Sequence, residues 1–173
     1  MKIAVFFASG MEELEALTPV DVLRRAGALV TTISISDELS VIGSHGIKIF
    51  ADTVIDKTDV EAFDAYVLPG GMPGATNLSN TPKLISALKN AVKDKKLVSA
   101  ICASPAVVLA KHGLIKDHKA TCYPAPEFVN ALGSSYLNED VVTSNNIITA
   151  NGPKSAFKFS LEICKYLNLV PKF

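Results

Sequence analysis

The pattern that most constrains this chain is an alternation of short apolar runs with longer stretches of helical period. Ile3 to Ala8 and Leu97 to Ile101 are apolar on almost every residue, as are the four residues Ala65 to Leu68. A strand with one wet face would alternate, so these runs belong to a sheet covered on both sides. Strands are expected over Lys2–Ala8, Leu29–Ile35, Asp64–Leu68 and Leu97–Ile101 and around Ala120, with an added β element over Gly46–Ala51 and near Val54. Helices are expected over Glu12–Ala26, with Leu14 and Leu17 on its periodic row and Gly27 closing it, and over Pro82–Val92, Pro105–His112, Glu127–Leu132 and Lys154–Leu167. Asn145 Asn146 reads as the turn of a hairpin. Strand, helix, strand in succession predicts α/β architecture: a doubly wound, mostly parallel sheet sandwiched by helices, with right-handed crossovers.

Composition narrows the function. A chain of 173 residues with no repeat, low-complexity tract or linker is expected to form one domain. Hydrophobic residues make up 49% and the 17 basic side chains are balanced by 17 acidic ones, the opposite of a disordered signature. That balance leaves no excess cation to replace phosphate counterions, so no specific nucleic-acid binding is expected. The cluster Lys93 Asp94 Lys95 Lys96 reads as the solvated end of a helix. No stretch approaches the roughly 18 apolar residues that cross a bilayer, so no membrane association is expected. The three cysteines, Cys102, Cys122 and Cys164, match neither a disulfide framework nor a zinc site, which suits a reducing cytoplasm.

Ligands of doubly wound sheets collect beyond the carboxyl ends of the strands, which directs attention to Ser9–Glu15, Pro69–Gly74 and Cys102–Pro105. Cys102 stands between an apolar strand and a helix, the strand-turn-helix arrangement of a nucleophile elbow. The helix N-terminus is expected to favour thiolate and lower the thiol pKa, although a free cysteine is also often a small buried hydrophobe. Gly70 and Gly71 end the neighbouring strand, and with the N–H of Ala103 a glycine-rich turn there can form an oxyanion hole. Glutamates at a helix start ordinarily face water and complement the dipole, and Glu12 and Glu13 are expected to do so. Glu15 lies near the row of Met11 and Leu14 and can turn toward the strand ends, where a thiolate would raise its pKa and let it donate to sulfur. His112 and His118 read as surface residues, whereas His45 is on a loop that can line a pocket. No histidine pairs obviously with a cysteine, no metal site is expected, and no dinucleotide fingerprint opens the first helix.

Five blocks then converge: Gly10 Met11 Glu12 Glu13 Leu14 Glu15, Pro19 to Gly27, Val67 Leu68 Pro69 Gly70 Gly71, Ala100 Ile101 Cys102 Ala103 Ser104 Pro105, and Gly152 Pro153. Together they resemble the ThiJ/PfpI family, and more narrowly its branch containing the human parkinsonism-associated protein and bacterial relatives. The resemblance spans essentially the whole chain. It implies a flavodoxin-like sandwich, a ThiJ/PfpI-like (class I glutamine amidotransferase-like) domain over residues 1–173, and a homodimer. It also implies Cys102 as reactive cysteine, Glu15 as its hydrogen-bond partner, and Gly71 and Ala103 as oxyanion donors.

The activities it implies are cofactor-free conversion of methylglyoxal or glyoxal to hydroxy acids, removal of early glycation adducts, chaperone action, and oxidant sensing through cysteine sulfinate. Protease-like members carry a His after the strand ending near Cys122, where this chain has Tyr123 Pro124, so proteolysis is not expected. The human-like branch has Arg in place of His45 and of Asn151; these two, with Gly70 and Tyr123, are the candidate pocket residues. Cys122 is expected to be structural, placed near the site as a secondary thiol, and Cys164 to sit on the inner face of the last helix. The leading expectation is an enzyme acting on reactive aldehydes; the others are a redox sensor or chaperone, and a binding module with an unreactive thiol.

Overall fold

The computed structural model describes residues 1–173. Seven strands form the central sheet: β1 (Lys2–Phe7), β2 (Leu29–Ser34), β5 (Thr53–Val54), β6 (Ala65–Leu68), β7 (Leu97–Ile101), β8 (Val141–Ser144) and β9 (Ile147–Ala150). Their order is β5-β2-β1-β6-β7-β9-β8. Every neighbouring pair is parallel except β8 and β9, the antiparallel hairpin turned at Asn145 and Asn146. The sheet starts at β1 and grows first through β2, then from β1 to β6, so the chain reverses direction across the sheet between β1 and β6. That reversal leaves a crevice at the carboxyl ends of the strands.

Both faces are covered, as the continuous apolar runs require. Ile3, Val5, Phe7, Ala65, Val67 and Ile101 point to one layer, where α1 (Glu13–Arg25) packs beside α5 (Ala156–Tyr166). Ala4, Phe6, Tyr66, Leu68, Val98 and Ala100 point to the other. There α2 (Gly74–Ser79), α3 (Pro82–Lys93), the π-helical segment Pro105–Ala110 and α4 (Pro126–Leu132) close the sheet. Ser99, on a strand with no wet face, satisfies its hydroxyl by donating to the Tyr66 carbonyl oxygen at 2.8 Å.

The structure departs from the sequence expectations at identifiable places. The added β element is a separate antiparallel pair, β3 (Ser40–Ile42) with β4 (Lys48–Phe50), while β5 joins the edge of the main sheet. The strand expected around Ala120 reduces to a single bridge to Tyr136, because β9 already occupies the position beside β7. The turn after β6 continues into α2, which was not anticipated. Leu14 and Leu17 lie on the outer side of α1, 58% and 39% exposed, although their spacing suggested a core row. No helix is long and apolar enough to cross a membrane.

Candidate active site

The crevice gathers residues from three strand ends. Cys102 follows β7 with φ +65°, a conformation that costs a non-glycine residue roughly 1–3 kcal/mol and must be imposed by its surroundings. The constraints are visible: its N–H donates to the Ala150 carbonyl at 2.9 Å, and its own carbonyl accepts from the Tyr123 N–H at 2.8 Å. The next turn is pinned by the Ser104 hydroxyl, which donates to the Pro69 carbonyl. Cys102 is half-buried, whereas Cys122 and Cys164 are fully buried.

Gly70 and Gly71 leave room that no side chain could share. A Cβ on Gly70 would come within 2.6 Å of both the Cys102 Cβ and the Glu15 Oε2. Gly71 has φ +83°, and a Cβ there would strike the Glu12 amide nitrogen. With this space open, the backbone N–H groups of Gly71 and Ala103 face the Cys102 sulfur. Two donors converging on one point are what a developing oxyanion, or a thiolate, requires.

Glu15 is wholly buried. Its Oε2 accepts from the Gly70 N–H at 2.8 Å, Oε1 has no hydrogen-bond partner, and the carboxyl as a whole is in contact with the Cys102 thiol. Leaving such an oxygen unpaired costs about 1–3 kcal/mol, so a group that completes it belongs there. Glu12 caps α1, its carboxylate accepting from the Glu15 backbone N–H at 2.8 Å. An acid at the cap position three residues before Glu15 was the available sequence signal.

Burial pushes the Cys102 thiol up to about 12, the charge of Glu15 and its hydrogen bond adding to the rise, while the Gly71 and Ala103 N–H groups act in the other direction. The expectation that the helix N-terminus would lower this pKa is therefore corrected: desolvation and the neighbouring carboxylate outweigh the two N–H dipoles. Burial likewise raises Glu15 to about 7, where the contact with Cys102 lowers it and the charge of Glu12 raises it. Between these two values the pair holds one proton, and moving it from sulfur to carboxylate changes no net charge.

The other glutamates correct a second expectation. Glu12 and Glu13 are buried rather than facing water, 9% and 5% exposed. Burial works against charge on Glu13, yet hydrogen bonds led by His45 hold it at about 2. His45 Nδ1 lies 2.7 Å from Glu13 Oε2, and the His45 N–H donates to Oε1 at 2.8 Å. His45, itself exposed, thus ties the β3–β4 hairpin to α1. The hairpin also brings the ligand atoms of Glu12, Glu13 and His45 within 4.8 Å of one another, a grouping that spacing along the chain could not indicate.

A cleft of about 490 Å³ is lined by Tyr123, Pro124, Asn151, Gly152, Pro153 and Lys154. It holds two of the expected pocket residues, Tyr123 and Asn151, but neither His45 nor Gly70. Cys122 is fully buried and packs in the layer across the sheet from the one that Cys102 packs against, although its neighbour Tyr123 is hydrogen-bonded to Cys102. Cys164 is on the inner face of α5, as expected. His112 and His118 are half-buried ties: Nε2 of His112 is 3.0 Å from Ser79 Oγ, and Nδ1 of His118 is 2.9 Å from the Ser144 carbonyl oxygen.

A profile of the DJ-1/PfpI family matches residues 1–166. The chain belongs to the DJ-1/PfpI family. Among its relatives, Protein dj-1beta of Drosophila melanogaster is 37% identical over 166 residues, 94% of this chain and 87% of that protein. The Caenorhabditis elegans protein named glutathione-independent glyoxalase DJR-1.2 is 36% identical, covering 90% of this chain and 82% of its own length. Two Arabidopsis thaliana relatives, DJ-1 homologs B and A, are 38% identical, but the chain spans only 37% and 41% of their lengths. The oxidized structure of Toxoplasma gondii DJ-1 superposes with a TM-score of 0.92 at 40% identity, covering 96% of this chain and 90% of that one. The mostly parallel seven-stranded sheet flanked by helices is the architecture of these DJ-1 structures.

Proposed function

We propose that this DJ-1/PfpI chain is a cysteine-dependent enzyme that needs no cofactor and converts methylglyoxal or glyoxal to hydroxy acids, with early glycation adducts as a further substrate class. The observation that carries the reading is the contact between a half-buried thiol and the buried carboxyl of Glu15, which keeps one oxygen without a hydrogen-bond partner. The glyoxalase name of the Caenorhabditis elegans relative supports the same chemistry.

For methylglyoxal, the Cys102 sulfur adds to the aldehyde carbon, and the proton of the Cys102–Glu15 pair goes to the carbonyl oxygen, giving a hemithioacetal. The carboxylate of Glu15 then takes the proton from the sulfur-bearing carbon and returns it to the adjacent carbon. With the hydroxyl proton passing from the oxygen of the thiol-bound carbon to that of its neighbour, this moves the carbonyl onto the thiol-bound carbon as a thioester. The N–H groups of Gly71 and Ala103 stabilise the oxyanion between these steps. Water cleaves the thioester, restoring the thiol and releasing lactate, so aldehyde plus one water gives one hydroxy acid. A raised Glu15 pKa suits a group that must both hold and release a proton near neutrality.

The test is lactate formation from methylglyoxal followed by NMR, beside the Cys102→Ser and Glu15→Gln variants. Lactate from the wild type alone supports the assignment; lactate from folded Cys102→Ser overturns it.

A second reading is favoured by the oxidized state of the Toxoplasma gondii relative: Cys102 reacts with two peroxides to give a sulfinate and two waters, and Glu15 hydrogen-bonds the product. A mass gain of two oxygens confined to Cys102 after mild peroxide supports it, and unselective oxidation counts against it. We also propose a homodimer through the apolar outer side of α1 and the adjoining hairpin, where Leu14, Ile42, Ile47 and Phe50 are more than half exposed.

A further inference from the structure

The cleft lined by Tyr123, Asn151 and Lys154 adjoins the elbow through backbone. Cys102 is held between Ala150, the residue before Asn151, and Tyr123, by hydrogen bonds of 2.9 and 2.8 Å. Two of the cleft's walls, Tyr123 and Asn151, thus begin at or next to the backbone partners of Cys102.

Its electrostatic character is set by one side chain. Lys154 is the only charged residue in the lining and has neither an ion pair nor a hydrogen-bond partner. The next lysine along, Lys158, is neutralised by Asp140 at 3.0 Å. Asp140 also accepts a 3.4 Å contact from the Asn151 amide, so this acid is already engaged twice. The Tyr123 hydroxyl makes no hydrogen bond within the protein, and the ring is 46% exposed. Gly152 keeps the wall low: a Cβ there would sit 3.4 Å from the Tyr123 ring. An unpaired cation and a free hydroxyl donor, with no carboxylate in the lining, make a cleft suited to an anion.

Resting on the carbonyl reading of Cys102, we infer that the cleft selects aldehydes carrying a short acidic tail, with Lys154 as the residue that recognises the anionic group and Tyr123 as a donor to it. Uncharged methylglyoxal fills the thiol end and leaves the cleft unused. A 2-oxoaldehyde with a carboxylate, such as 4,5-dioxopentanoate, uses both.

The test separates the cation from the chemistry. Iodoacetate and iodoacetamide alkylate the same sulfur and differ chiefly in charge, so the ratio of their rates at Cys102, located by peptide mass, reports the local potential without any turnover. Replacing Lys154 by Met should lower the iodoacetate-to-iodoacetamide ratio about three- to five-fold, the size an exposed ion pair supports, and Lys154→Arg should restore it. Salt at about 0.5 M should compress the wild-type ratio toward that of Lys154→Met. In turnover, the ratio of kcat/KM for 4,5-dioxopentanoate to that for methylglyoxal should fall by a similar factor in Lys154→Met. An alkylation ratio indifferent to Lys154→Met, or unrestored by Arg, overturns the inference. If neither aldehyde is turned over, the carbonyl reading fails by itself, while the alkylation ratio still decides whether Lys154 governs anions at this thiol.

Discussion

Cys102 and Glu15 share their chemistry because burial raises the proton affinity of both, in a place where water cannot relieve it. The consequence reaches stability. Glu15 has its pKa raised to about 7 from an ordinary 4.5, so between these values the folded protein holds a proton that the unfolded chain has released. Its contribution is therefore fully present below about pH 4.5 and declines as pH rises through 7, by on the order of 3 kcal/mol. Glu15→Gln should remove that decline, since the amide can accept from Gly70 and donate toward sulfur without titrating. Urea unfolding of both proteins at pH 5 and pH 8 checks it; an equal decline in the variant would place the titration elsewhere. Cys102→Ser should abolish lactate formation while moving the melting temperature by less than about 3 °C, because the strained φ is imposed by Ala150 and Tyr123 rather than by the thiol.

At the scale of elements, the site is an intersection of backbone segments. Glu12 N–H donates to the Gly70 carbonyl at 3.0 Å, and the Gly71 position is closed in by the Glu12 amide and the Gly10 carbonyl. Main chain cannot step aside as a side chain can. Gly71→Ala should therefore cost at least about 2 kcal/mol by urea unfolding, combining a disfavoured φ with overpacking, and should remove turnover by displacing the N–H that faces sulfur. An unchanged unfolding midpoint would show that the turn relaxes. The elements that the sequence made legible were those with local signals: an apolar run for β7, a glycine stop for α1, an asparagine turn for the β8–β9 hairpin. Those it left obscure depended on competition. Ala120 has strand composition, but β9 had taken the place beside β7; Leu14 and Leu17 have helical spacing, but α1 has two sides, and its neighbours fill the other.

For the whole molecule, the exposed apolar side chains on α1 and the β3–β4 hairpin form one neighbourhood, since the hairpin is tied to the start of α1 by Gly10 donating to Ile42 and Ser44 donating to Met11. A second copy of the chain covering that face would bury it, and Leu14→Glu should then convert a dimer to a monomer in analytical ultracentrifugation. A dimer persisting in the variant would move the interface elsewhere. The alternating α/β order, the covered sheet and the elbow that carries Cys102 are all legible from the chain alone. Each of these follows from residues near one another in the chain, where hydrophobic period, glycine and strand-turn-helix order act locally. The three-dimensional packing is what buries Glu12 and Glu13, joins His45 to Glu13, sets Lys154 in the cleft with Tyr123 and Asn151, and raises the thiol's pKa. Burial, ion pairing and pKa are properties of what surrounds a group, and here those surroundings come from distant parts of the chain: Glu15 meets Gly70 across 55 positions.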